Sequence, residues 1–277
     1  MTRRTFLPLA AAVPALGQTA QPVARKGRLK QAVTRGCFGR GMTLDDMCRE
    51  AARLGLKGID LVGQKEWPTL QKYGLLSTMV SGPSGINSGI NRTENHDKYE
   101  KPFRDIIEWA AGIKAPNVIV LAGNRKDLTD EQGIENSVAF LNRIKSVAED
   151  KGVTLCIELL NSKVDHPGYQ CDHTWWGVEV AKRVNSPRVK LLYDIYHMQI
   201  MEGDVIRTIR ANMQWLGHFH TAGNPGRHEP DETQELNYRP IAQAIVDAGF
   251  TGYLSHEYSP TKDPLTSLDK AISLCDV

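Results

Sequence analysis

The sequence lacks most of the features that would assign it at a glance. Its five cysteines, Cys37, Cys48, Cys156, Cys171 and Cys275, are odd in number and share no short spacing. That excludes a dense disulfide framework and a zinc-cysteine site. Cys156, inside Val153-Thr154-Leu155-Cys156-Ile157, reads as a buried small hydrophobe, and a Cys37–Cys171 pair in an oxidising compartment stays open. Charge of one sign is also scarce: 34 Lys and Arg against 32 Asp and Glu leave a net charge of +2. No concentrated basic field results, so nucleic acid and anionic membrane surfaces are not expected partners. There is no Gly-x-Gly-x-x-Gly turn and no phosphate-cradling Gly-Lys-Ser loop, which weakens a doubly wound nucleotide-binding sheet. Beyond the first twenty residues no apolar run is long enough to span a bilayer, so no stable membrane anchor is expected.

What is present begins with the N-terminus. Thr2-Arg3-Arg4-Thr5-Phe6-Leu7, an apolar run over 9–16 and small residues at Ala15, Gly17 and Ala20 look like a twin-arginine export signal. Residues 1–20 are therefore expected to be a signal peptide cleaved near Gly17 or Ala20. This implies a periplasmic or otherwise exported protein with the twin-arginine export machinery as a partner. A short basic linker is expected over 21–28 and one folded domain over 29–277. With 41% hydrophobic residues in 277, the chain carries enough apolar material for a sizeable core.

From residue 29 onward, short apolar runs alternate with longer amphipathic ones. Candidate strands fall at 29–33, 58–62, 75–80, 117–121, 153–160, 189–192, 214–219 and 252–255. Helical stretches separate them at 43–54, 66–73, 99–113, 129–150, 175–184, 204–213, 238–248 and 264–274. Thr129-Asp130-Glu131-Gln132 is a capping box for the fourth helix. Eight strand-helix units over about 250 residues match a single-domain α/β fold, the (β/α)8 TIM barrel. The polar, Gly-rich stretch 81–97 is too long for a plain connector and is a candidate lid.

The last four strands end in polar groups: Glu158, Asp194, His220 and Glu257. A barrel gathers the carboxyl ends of its strands on one rim, which brings these four together. Three carboxylates side by side repel unless a cation neutralises them, so the set implies a divalent metal. Oxygen-rich ligation with one histidine suits Mn2+ or Mg2+, with Co2+, Zn2+ and Fe2+ as further options. Taken singly the signals are weaker: Asp194 can serve as a helix cap and His220 as a satisfied core histidine. His218, one strand repeat deeper than His220, is a candidate for orienting a ligand. Asn124 and Asn161 are weaker candidates of the same kind. His166, Tyr169 and His173 are candidate pocket residues, each as readily a loop residue. Trp175 and Trp176 are expected to begin a helix or pack at an interface.

Several segments carry a resemblance: Ile157-Glu158-Leu159-Leu160, Leu192-Tyr193-Asp194-Ile195-Tyr196-His197-Met198-Gln199, Gly226-Arg227-His228-Glu229-Pro230-Asp231, Glu235-Leu236-Asn237-Tyr238 and His256-Glu257-Tyr258-Ser259-Pro260. Together they resemble the hydroxypyruvate isomerase family, one of the xylose isomerase-like barrels, beside ketose 3-epimerases and inosose dehydratases. The resemblance implies that Glu158, Asp194, His220 and Glu257 ligate the metal, that Glu158 and Glu257 also form the acid-base pair, and that His197 and Arg227 contact substrate oxygens. It implies a small hydroxy-carbonyl substrate isomerised through a cis-enediolate. Related barrels commonly pair, which points to a homodimer. His220 departs from the pattern, since hydroxypyruvate isomerases often carry glutamine there and the epimerases histidine. Rival readings are a dehydratase on the same metal site, a metal-dependent repair endonuclease, disfavoured by the weak net charge, and an exported sugar-binding protein without turnover. Arg227 has its own alternative, a loop ion pair with Glu229 or Asp231.

Overall fold

The computed structural model describes residues 21–277. Its parallel strands are β1 (Lys30–Thr34), β2 (Ile59–Asp60), β3 (Asn117–Val120), β4 (Thr154–Glu158), β5 (Val189–Asp194), β6 (Leu216–Thr221) and β7 (Tyr253–His256), in the order β2-β1-β7-β6-β5-β4-β3. The ring closes through 75–80, the run expected as the third strand. Ile59 N–H donates to Leu76 O (3.0 Å) and Leu61 N–H to Met79 O (2.8 Å), while Val80 N–H donates to Asn117 O and Ile119 N–H to Val80 O (both 2.9 Å). This segment forms single bridges to each neighbour instead of a continuous ladder, and with it the barrel has its eight staves.

Helices α1 (Leu44–Arg53), α2 (Trp67–Lys72), α3 (His96–Gly112), α4 (Asp130–Lys151), α5 (Thr174–Val184), α6 (Ile195–Met201), α7 (Val205–Asn212), α8 (Tyr238–Asp247) and α9 (Pro264–Cys275) surround the sheet. The capping box at Thr129 and Gln132 forms as expected. Trp175 and Trp176 lie in the first turn of α5, one exposed and one buried. Strand alternation sorts the core. Val118, Val120, Leu155, Ile157, Leu191, Tyr193 and Phe219 belong to the large cluster with the helices, whereas Met79, Ile119, Cys156 and Leu192 form a separate small one. The same alternation turns Glu158, Asp194, His218 and His220 away from the helices. All five cysteines are buried and free, so Cys37 and Cys171 are not joined.

Residues 21–28, expected to be a linker, are docked. Val23 N–H donates to Arg53 O (2.8 Å), Arg25 reaches Leu54 O (3.1 Å), Ser273 (2.8 Å) and Asp269, and the Asp276 carboxylate accepts from Lys26 N–H (2.9 Å). Basic residues there meet the carbonyl end of α1 and the acidic groups of α9, partners that a reading of local composition does not see. The stretch 82–92 is likewise packed against the barrel, with Ile90 and Asn91 buried. The twin-arginine segment over 1–20 lies outside the described residues. Among the described residues, no helix is long and apolar enough to cross a membrane.

Candidate active site

Strand register delivers the four expected groups to one rim. Asp194 pairs with His220 across β5 and β6, Glu158 pairs with Leu192 two positions below Asp194, and Thr221 pairs with His256, so Glu257 follows at the end of β7. One ligand atom from each of Glu158, Asp194, His220 and Glu257 lies within 4.8 Å of all the others. His220 Nδ1 is 2.9 Å from Glu257 Oε2 and 3.6 Å from Glu158 Oε1, yet no hydrogen bond satisfies it although it is fully buried. An orphaned imidazole nitrogen facing three carboxylates is the donor set a divalent cation takes, so these residues fit the metal implied by the sequence.

The other face of His220 is occupied by a residue the sequence analysis passed over. Asp60, at the end of β2, places Oδ2 2.9 Å from His218 Nε2 and 3.4 Å from His220 Nε2, while Thr78 Oγ1 donates to its Oδ1. All of these groups are buried. Nε2–H points at Asp60, and although burial opposes it, Glu257, Asp60 and Glu158 raise the imidazole well above its ordinary value, so Nδ1 holds a proton that a bound cation would displace to take the lone pair facing the carboxylates. His218, the candidate for orienting a ligand, meets Asp60, which in turn meets His220. No local pattern marks Asp60, because its histidine partners lie some 160 residues away.

Arg227 enters from the loop after β6 with φ 55°, a left-handed conformation uncommon for a side-chain-bearing residue. Its Nη2 donates to Glu257 Oε2 (2.6 Å) and Asp194 Oδ2 (3.2 Å), and Nη1 donates to His197 Nε2 (2.9 Å). Glu229 and Asp231 are not its partners; they fasten the last loop through Thr261 and Lys262. His197, in the first turn of α6, is buried with Nδ1 2.6 Å from the Asn161 amide. His166 lines the pocket, its ring 5.3 Å from that of His197. Tyr169 is instead structural, donating to Glu158 O (3.0 Å) and accepting from Ala122 N–H. His173 caps α5 beside Asp172, and Asn124 contacts Asn87.

Electrostatics separate the two glutamates. Burial pushes the Glu158 carboxyl up, helped by the Glu257 charge and opposed by His220. Burial acts the same way on Glu257, but His220 and Arg227 outweigh it and hold that carboxyl down at about 2. Asp194 is raised by burial against the pull of Arg227. Burial and the neighbouring Arg227 keep His197 neutral. The pocket above the cluster encloses about 570 Å³, with Leu61, Ile86, Ile119, Leu121 and Leu160 as apolar wall and Arg35 at its rim.

A profile of the xylose isomerase-like TIM barrel family matches residues 48–275. The chain is 27% identical over 239 residues to the 2-oxo-tetronate isomerase of Haemophilus influenzae, covering 81% of this chain and 91% of that protein. It is 30% identical over 166 residues to the hydroxypyruvate isomerase of Escherichia coli, covering 58% of this chain and 64% of that one. A crystal structure from Brucella melitensis, titled AP endonuclease, family 2, superposes with a TM-score of 0.78 at 25% identity, covering 87% and 97% of the two chains. The chain belongs to the xylose isomerase-like TIM barrel family and is an isomerase of the intramolecular oxidoreductase kind.

Proposed function

We propose that this enzyme interconverts the carbonyl and hydroxyl positions of a short hydroxy-oxo acid, hydroxypyruvate to tartronate semialdehyde being the simplest case. The observation that carries the reading is the opposition of Glu158 and Glu257 around the unsatisfied Nδ1 of His220. Glu158, Asp194, His220 and Glu257 would hold a divalent cation, Mn2+ or Mg2+ by their oxygen-rich donors, and bound there it supplies Lewis-acid stabilisation of charge developing on the substrate oxygens. The protein's part is proton movement. One of the two glutamates removes the proton on the hydroxymethyl carbon and the same or the opposite one returns it to the former carbonyl carbon, passing through a cis-enediolate of the substrate. The hydroxyl proton moves from the first oxygen to the second, so atoms balance. His197, expected to touch substrate, is neutral and has Nε2 on Arg227 and Nδ1 on Asn161, so its part is to position Arg227, while His166 closes the pocket beside it.

The test is incorporation of solvent deuterium into hydroxypyruvate and a panel of ketoses, followed by NMR with manganese-loaded protein. Exchange into hydroxypyruvate that is lost in Glu257→Gln is the expected result; exchange into none of them, with metal bound, overturns the reading. A second reading, epimerisation of a longer ketose, is favoured by the 570 Å³ pocket, a size that encloses ligands well beyond a three-carbon acid. Exchange confined to the ketoses would select it. We also propose an exported location, on the strength of Arg3-Arg4-Thr5-Phe6-Leu7 alone. Cell fractionation of the full chain, with Arg3→Lys/Arg4→Lys retained in the cytoplasm, is the expected outcome.

A further inference from the structure

The resemblance implied that Arg227 contacts substrate oxygens, but its guanidinium is already engaged with Glu257, Asp194 and His197. The pocket has a second arginine. Arg35 opens the 3-10 turn Arg35–Phe38 directly after β1 and lines the same cavity as Glu158, Glu257 and His166. We propose that Arg35 binds the anionic group of the substrate, making a hydroxy-oxo acid, in preference to a neutral ketose, the substrate class of this site. The substrate class rests on the isomerase reading; the anion site itself does not.

Three observations carry it. First, the guanidinium is underused. Among the described residues its one hydrogen bond runs from Nη2 to Glu66 Oε1, and its Nε is buried with no partner at all. Its Nη1 has no hydrogen bond either, and on an arginine that lines the cavity it is a charged donor open to an incoming carboxylate. Secondly, the turn is fixed relative to the acid-base groups. Val33 pairs with His256, which places Thr34 and Arg35 alongside the end of β7 where Glu257 stands. Cys37 Sγ donates to His256 O (3.2 Å) and accepts from Tyr258 N–H (3.3 Å), clamping the turn on both sides of Glu257. Thirdly, Glu66 has its own support: Gly63 N–H donates to its Oε2 (3.0 Å). It therefore holds Nη2 of Arg35 and leaves Nη1 for a ligand.

Direct binding tests this without turnover. The probes are erythronate, a four-carbon acid with no carbonyl to isomerise, and erythritol, the same chain with the carboxylate replaced by a hydroxymethyl group, each titrated calorimetrically into metal-loaded protein. The native enzyme is expected to prefer erythronate, and Arg35→Met to weaken erythronate about tenfold while leaving erythritol unchanged. Glu66→Gln, which breaks the ion pair but keeps the arginine, is expected to retain the preference. Unchanged erythronate binding in Arg35→Met, or equal loss in both variants, overturns the proposal, the latter because Arg35 would then act only as a partner of Glu66. If no hydroxy-oxo acid is turned over yet erythronate binding still depends on Arg35, the isomerase reading fails and the anion site stands.

Discussion

At the scale of single residues the site depends on which nitrogen of His220 faces the carboxylates, and Asp60 sets that. Asp60→Asn keeps the size but offers an amide where His220 and His218 require an acceptor, so the imidazole loses its fixed tautomer. Metal affinity and kcat/KM are expected to fall about 10- to 100-fold, measured by metal titration and steady-state kinetics, with circular dichroism unchanged. A variant with native metal affinity would show that His220 is oriented by packing alone. The contrast with Glu158 explains what the sequence reveals at this scale. A carboxylate inside the apolar run Leu155–Leu160 stands out because burying it alone is costly. Asp60 ends an ordinary-looking strand, and its reason for being there is supplied by β6, far along the chain. Arg227 was legible as a site residue, but its engagement with Asp194 and Glu257 was not, since that depends on the left-handed turn that aims it.

At the scale of elements, periodicity located all eight staves and placed eight of the helices to within a few residues, because alternation and amphipathic spacing are local signals, but it missed the short α6 that carries His197. It also missed long-range docking: the segment 21–28 tied to α1 and α9, and the 75–80 stave held by isolated bridges. The loop over 82–92 shows the same physics. A Cβ on Gly89 would lie 2.1 Å from the backbone of Ala122, so Gly89→Ala is expected to lift the loop and cost about 1–3 kcal/mol, read as a drop in urea midpoint. Gly112→Ala, where a Cβ meets nothing within 4 Å, serves as control. Helix α3 adds a pH dependence. Burial holds the His96 imidazole below its ordinary value of 6.5, with Nε2 3.0 Å from Ile90 O and the ring against Phe140. The unfolded chain therefore takes up a proton at His96 that the folded one refuses, and stability falls as the pH drops through about 6.5. His96→Gln is expected to flatten that slope between pH 7 and about 5 in denaturant titrations; an unchanged slope would assign it to other groups.

At the scale of the whole molecule, the barrel brings together three carboxylates from separate strands, with Arg227 as the cation across two of them. Without a metal, Arg227 and a protonated His220 face these three carboxylates and the buried Asp60, so negative charge is left in excess and the native assembly carries a built-in electrostatic strain at its carboxyl-end rim. A divalent cation bound there interacts with the folded chain only, since the four ligands come from strands 99 residues apart at the extremes (158 to 257) and do not meet in the unfolded chain. Metal at about a hundredfold excess over its dissociation constant should then add about 2.7 kcal/mol, or roughly 5–10 °C in Tm for a domain of this size. Chelation is expected to lower Tm by that amount and abolish activity together, and re-addition of Mn2+ to restore both. Asp194→Asn separates the two contributions. Removing one charge should make the chelated protein more stable than native chelated protein while reducing what the cation adds. If chelation left the native Tm unmoved, or if Asp194→Asn destabilised the chelated form, the charge cluster would be a self-sufficient network with Arg227 at its centre rather than a site for a cation.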